Sequence, residues 1–169
     1  MSGGRKHSEH STFREKLIEH LLIGELLKRS WQTGDCSIEI SKPEVDRAGY
    51  DLIAECNGQI RHIQLKTSVR GSSTSELNIQ LALAEKPAAC VVWVYFDEET
   101  LELGPFWYLG PGGGLKNLKS FKAAKHTKAN AQGEKTERPN LRVVRKSDFT
   151  RVEDLAGLWH CLFGGEDTA

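Results

Sequence analysis

Apolar residues recur at helical spacing near the start of the chain. Phe13, Leu17, Ile18, Leu21, Leu22 and Leu26 predict a helix from about Thr12 to Arg29. Thr12-Phe13-Arg14-Glu15 has the form of a capping box at its start. The period then shortens. Ser37–Ile40 read as a short strand ended by Pro43, and two alternating runs follow, Tyr50–Cys56 and Gln59–Thr67, separated by Asn57-Gly58. Asn-Gly between alternating runs signals a hairpin, because both turn residues take positive φ. Leu77, Ile79, Leu81 and Leu83 alternate as in a strand, with a helix over 80–86 as the other reading. Cys90–Phe96 is continuously apolar, as a buried central strand is. Phe106–Leu109 and Leu141–Val144 are shorter strand candidates. Thr150-Arg151-Val152-Glu153 resembles a second capping box, opening a helix to about Phe163 that Gly164-Gly165 stops. Helix, several strands, helix is the order of an α+β domain.

The chain has 169 residues, 38% hydrophobic and 27% charged, the balance of one folded domain rather than a disordered chain. Leu21-Leu22-Ile23 falls far short of the roughly 20 apolar residues of a membrane span. Basic residues and glycines open the chain without a hydrophobic signal region, so the expectation is a cytoplasmic protein away from membranes. Cys36, Cys56, Cys90 and Cys161 lack metal-ligand spacing and read as free thiols.

Formal net charge is zero, which counts against a nucleic-acid partner until the charge is divided along the chain. Residues 1–71 carry +1, 72–110 carry −5, 111–146 carry +8 and 147–169 carry −4. The basic block runs through Lys116, Lys119, Lys122, Lys125, His126 and Lys128 to Lys146, with only Glu134 and Glu137 opposing it. Such a block suits phosphate contacts; without a partner motif, it reads as a solvated lysine loop whose charge serves solubility. Gly110-Pro111-Gly112-Gly113-Gly114 lacks the Lys-Ser/Thr ending of a phosphate-binding loop and reads as a flexible connector.

With a two-residue turn at Asn57-Gly58, Asp51 falls opposite Gln64, Ile53 opposite His62 and Leu52 opposite Ile63. One face of the hairpin is then apolar, while Asp51, Gln64 and Lys66 share the other. A one-residue slip would turn Asp51 into the core. An ordinary amphipathic hairpin with a solvated polar face has the same pattern. Glu25 lies within the arc of Leu17, Ile18, Leu21, Leu22 and Leu26, which puts a carboxylate on the sheet-facing side of the helix, where it needs a partner or a metal. A local Glu25–Arg29 pair would instead draw it toward solvent.

These residues resemble the PD-(D/E)xK nuclease-like superfamily, which has the restriction endonuclease-like fold. The resemblance rests on Glu25, on Gly49-Tyr50-Asp51-Leu52-Ile53 and on Ile63-Gln64-Leu65-Lys66-Thr67-Ser68, and covers roughly residues 12–96. It implies an α/β/α-like core, a mixed sheet with a central hairpin flanked by helices. Asp51, Gln64, the Leu65 backbone carbonyl and Glu25 would hold Mg²⁺ or Mn²⁺. Lys66 would sit beside the attacking water, and Thr67 or Ser68 would donate to a phosphate oxygen. His62, two residues before Gln64, is a further candidate for DNA contact. Gln64 departs from the family pattern, because a neutral oxygen replaces a carboxylate and lowers the site's negative charge.

The resulting expectation is a single domain over 1–169: a flexible N-terminus at 1–11, a core at 12–110, a basic segment at 111–146, and a C-terminal helix with an acidic tail at 147–169. Its activity would be metal-dependent DNA endonuclease action of repair or restriction type, with a homodimer as one assembly, as in many nucleases of this fold. The alternatives are a nuclease-fold module that binds nucleic acid or a protein without cutting, and an unrelated α+β protein whose cations serve an acidic partner.

Overall fold

Helix α1 spans Ser11–Thr33 and is longer at both ends than its leucine spacing predicts. Thr12 lies inside it. His10 is the N-cap and no side chain caps that end, so the predicted capping box does not form. Gly34 closes the helix in a left-handed conformation. The buried side chains are Ile18, Leu22 and Leu26, joined by Glu19 and Ser30. The computed structural model describes residues 10–45, 47–111, 115–128 and 131–164; Gly112, Gly113 and Gly114 of the glycine connector lie outside them.

After β1 (Glu39–Ser41), β2 (Leu52–Cys56) and β3 (Gln59–Val69) form the expected hairpin. Asn57 and Gly58 both have positive φ, and Leu52 pairs with Ile63 and Cys56 with Gln59. The stretch read either as strand or helix is both, a short strand β4 (Glu76–Gln80) running into a 3₁₀ turn over Leu81–Glu85. Strand β5 (Ala89–Phe96) is buried along its whole length and runs parallel to β3. Strands β6 (Leu103–Leu109), β7 (Ala123–Lys125), β8 (Glu137–Arg145) and β9 (Thr150–Val152) follow, then helix α2 (Leu155–Phe163). Thr150–Val152 thus pairs with β6 instead of capping a helix. The true cap of α2 is Asp154, whose Oδ1 accepts the Gly157 N–H at 2.8 Å.

Six strands form one mixed sheet in the order β1-β2-β3-β5-β6-β9, and β4-β8-β7 form a second, antiparallel sheet. One face of the large sheet, with Leu52, Ile63, Val92 and Val94, packs against Ile18, Leu22 and Leu26 of α1 and Leu158 and Leu162 of α2. The other face, with Val91, Trp93 and Tyr95, packs against Ile79, Leu83, Leu118 and Val144. The expectation of helices flanking the sheet is therefore corrected: both helices lie on one side, and the small sheet with its 3₁₀ turns covers the other. The physical reason is that Leu77 and Ile79 alternate and residues 141–144 are rich in β-branched side chains, so both stretches build strands on the side where the resemblance implied helices. The basic stretch is not a solvated loop throughout either, since Leu115, Leu118, Ala124 and Val144 within it are core residues.

Lys146 ties the two sheets together. Its ammonium lies 5.5, 4.4 and 4.6 Å from the ring centroids of Trp93, Tyr95 and Trp107 and donates to the Tyr95 hydroxyl at 2.9 Å. Its backbone N–H donates to Ser75 O at 2.8 Å. A half-buried ammonium on aromatic faces is an attractive contact, so this cation is part of the packing.

Candidate functional site

The hairpin strands are unequal in length, and the site follows from that. Strand β2 begins at Leu52, opposite Ile63, whereas β3 continues to Val69 with β5 on its other side. Beyond Ile63, the edge of β3 facing β2 therefore lacks a strand partner among the described residues. Asp51 fills the first position. Its backbone N–H donates to Ile63 O at 2.8 Å, and its Oδ2 accepts the Leu65 N–H at 2.7 Å. A side chain thus replaces a ladder bond and fixes the carboxylate against β3. Within a strand the N–H and C=O of one residue point the same way, so the Leu65 carbonyl faces this open edge too.

Gly49 sets the approach to Asp51. It has φ +75°, and a Cβ there would lie 2.6 Å from Cβ of Gln80 at the end of β4. Only glycine permits both the conformation and the contact.

A polar cavity of about 340 Å³ opens at this edge. The hairpin and β3 contribute Asp51, Gln64, Leu65, Lys66 and Thr67, α1 contributes Arg14, Glu15, Lys16 and Glu19, and β4 contributes Leu77 and Gln80. Asp51, Gln64 and Lys66 thus come together as the hairpin register predicts, and Thr67 also lines the cavity. Gln64 is only 5% exposed, and its Oε1 is buried with no hydrogen-bond partner among the described residues. Such an atom is costly to bury and calls for a functional account.

The buried helix carboxylate in this cavity is Glu19, with the exposed Glu15 also on its lining, and Glu25 is not among them. Glu25 is 43% exposed and pairs with Lys28 at 3.6 Å along the helix surface. Leu17 and Leu21, which widen the apolar arc toward Glu25, are only half-buried, and the buried stripe runs through Ile18, Leu22, Leu26 and Ser30. Glu19, three residues before Leu22 and seven before Leu26, lies on that stripe, and this spacing was the signal available in the sequence. Its side chain is 6% exposed; Lys16 Nζ binds one oxygen at 3.0 Å and Lys42 Nζ binds the other. Burial alone would raise the Glu19 pKa, but the hydrogen bonds from Lys42 and Lys16 outweigh it and hold the carboxyl below its usual range. The hydrogen bond to Glu19 likewise raises Lys16, against the opposing effect of burial. Arg14, Lys16, Glu19, Lys42 and Gln80 were not anticipated from the sequence; they reach the site from separate elements.

Among the described residues no group of three or more His, Cys, Asp or Glu side chains forms a metal cluster. The donor set for a divalent ion is therefore mixed. Asp51 would supply the carboxylate, and Gln64 a buried amide oxygen that has no hydrogen-bond partner among the described residues. This fits one hard cation that keeps part of its water shell. Both Glu19 oxygens are engaged by ammonium groups, so Glu19 belongs to the rim.

Other expected contacts sort differently. The half-buried Ser68 hydroxyl accepts Trp93 Nε1–H at 2.9 Å. His62 Nδ1 contacts Pro87 O at 2.8 Å, and its ring stands edge-on to Tyr50. Lys119 pairs with Glu85 at 3.0 Å, while Lys116 and Lys128 are exposed. Lys122, Lys125 and His126 line a separate concavity of about 690 Å³. Burial pushes the Cys90 thiol up to about 12, so it stays protonated and unreactive.

No family model matches the chain, and no curated protein matches it. No helix among the described residues is long and apolar enough to cross a membrane.

Proposed function

We propose that the protein is a metal-dependent nuclease of PD-(D/E)xK type that hydrolyses phosphodiester bonds in DNA within the Asp51–Gln64–Lys66 cavity. The observation that carries this reading is the buried, unpartnered Gln64 Oε1 beside Asp51 in a polar cavity. The antiparallel hairpin followed by a parallel strand supports a restriction endonuclease-like core. Asp51 and Gln64 would hold Mg²⁺ or Mn²⁺, with the Leu65 carbonyl on the same edge. When bound, the ion polarises the scissile phosphate and lowers the pKa of a coordinated water. Lys66 orients the attacking water and offsets the charge that develops on the phosphate. Thr67 donates to a phosphate oxygen. Glu19 acts as a positioning residue, holding Lys16 and Lys42 at the rim where the nucleic acid enters.

The second reading is a module of the same fold that binds nucleic acid without cutting it. The Glu19 pairing favours it, because Lys16 and Lys42 neutralise the buried helix carboxylate and make the cavity better suited to anions. Incubation of supercoiled plasmid and of structured and single-stranded oligonucleotides with Mg²⁺ or Mn²⁺ separates the two. The nuclease reading expects cleavage that falls about 10²-fold or more in Asp51→Ala and in Lys66→Ala; wild-type rates in both variants would show the site to be wrong. Salt-sensitive binding with no cleavage under either metal selects the second reading.

A further inference from the structure

The small sheet buries Ile79, Ala124 and Val144 against the large one, so alternation turns Asn78, Lys125, Val143 and Arg145 outward. On that outer face the concavity of about 690 Å³ gathers Lys122, Lys125, His126, Lys135 and Arg145, with the half-buried Phe121, which packs partly on the core, on its lining. Among the described residues none of these four Lys and Arg side chains has an ion-pair partner. Backbone bonds order them along β8: His126 N–H to Thr136 O at 2.9 Å at one end, and Val143 N–H to Lys122 O at 2.9 Å near the other. Arg145 lies beyond that, at the end of β8. A nine-residue strand at about 3.3 Å per residue spans on the order of 30 Å, which suits a chain of phosphates better than a single anion. Glu76 and Asp148 line only the Arg145 end, and Asp148 Oδ2 already accepts the Arg145 N–H at 3.0 Å. Cations with an adjoining aromatic ring are the surface on which a single strand lies, phosphates on the charges and bases on the ring.

We infer that this groove is a second nucleic-acid site, holding the phosphodiester backbone of a single strand outside the cleavage cavity. It rests on the reading that the protein acts on nucleic acid. Strand β4 connects the two regions, since Leu77 and Gln80 border the cavity and Glu76 and Asn78 border the groove. The groove takes only part of the basic block: Lys119 is engaged by Glu85 and Lys146 by the aromatic rings.

Fluorescence anisotropy of the full chain carrying Asp51→Ala, with a labelled oligothymidylate or a labelled hairpin duplex and no divalent metal, tests the assignment. Lys122→Glu/Lys125→Glu and Lys135→Glu/Arg145→Glu are each expected to weaken single-strand binding at least tenfold. Each should flatten the dependence of log K on log salt by about 1.4, the value for two lost single-strand phosphate contacts. Lys116→Glu/Lys119→Glu, with the same charge change, is expected to shift affinity less than threefold. Lys122→Gln/Lys125→Gln is a milder pair that should weaken binding in the same direction and guards against unfolding by charge reversal. Equal losses in the groove and control pairs, unchanged binding in both groove pairs, or tighter binding of duplex than of single strand would each overturn the inference. Plasmid cleavage by the same variants without Asp51→Ala keeps the two readings apart. Cleavage with a groove that binds nothing sinks the groove alone, whereas groove binding without cleavage sinks the nuclease reading alone.

Discussion

Replacing Gln64 by methionine sets stability against function at one position. The Gln64 side chain is 5% exposed and its Oε1 has no partner among the described residues. A buried acceptor left unpaired costs about 1–3 kcal/mol, and a swap that conserves volume costs less than about 1.5 kcal/mol in packing. In EDTA, Gln64→Met should therefore be more stable than wild type by roughly 1 kcal/mol, or about 2–4 °C in Tm for a chain of this size. Added Mg²⁺ should reverse the order. At a hundredfold excess over its dissociation constant a bound ion stabilises the folded chain by about 2.7 kcal/mol, and Gln64→Met should recover little of that while losing cleavage. Urea titrations with EDTA and with Mg²⁺ read both quantities. A variant less stable than wild type in EDTA by about 1 kcal/mol or more would show that the Gln64 amide is satisfied in the folded protein. Equal Mg²⁺ stabilisation of both proteins would remove Gln64 from the ion's donors.

Three further outcomes follow from the packing around the site. Glu19 has a folded pKa below its ordinary 4.5, so its contribution is complete above that value and lost as pH falls through the lowered one. Urea titrations should show wild type losing more stability than Glu19→Gln below about pH 4.5, while at pH 7 the variant is weaker by about 1–3 kcal/mol; parallel pH curves would contradict the pairing. Gly49→Ala should cost about 1–3 kcal/mol from its φ of +75° alone, and Gln80→Ala should not restore it, because the nearest atom is Cβ of Gln80; thermal melts of the single and double variants check this. Lys146→Met should lower stability by about 1–2 kcal/mol through lost cation–π contact and alter tryptophan emission from Trp93 and Trp107, and an unchanged spectrum would place the ammonium elsewhere.

The hairpin was the most legible element because its two signals are local and independent. Asn57-Gly58 set the turn, and the apolar face through Leu52 and Ile63 set the register, so the sequence alone groups Asp51, Gln64 and Lys66. Helix orientation was harder. The apolar residues on α1 cover too wide an arc to select one face, and the choice between Glu19 and Glu25 depends on which leucines the sheet buries. Lys42 could not be found because it reaches Glu19 from the loop after β1, a long-range contact without a sequence period. The second sheet was under-read for a related reason. Ala123–Lys125 is a three-residue strand. In β8 Arg138, Arg142 and Arg145 interrupt the apolar residues, so a charge count sees only a basic run. The two false capping boxes show the limit of a four-residue pattern: Thr12 sits within a helix, and Thr150 is drawn into a sheet edge by pairing with Tyr108.

The Lys146 anchor in its aromatic cage also constrains how the protein could measure a strand. Strand β4 borders both the cavity and the basic groove, and Lys146 pins the sheet containing β4 to the rings of Trp93, Tyr95 and Trp107. Neither region can shift far from the other without pulling an ammonium off three aromatic faces. If a strand is gripped in the groove and cut in the cavity, the offset between grip and cut is built into the packing. The products would then share a characteristic length counted from the held end, set by the protein's own ruler and independent of base sequence.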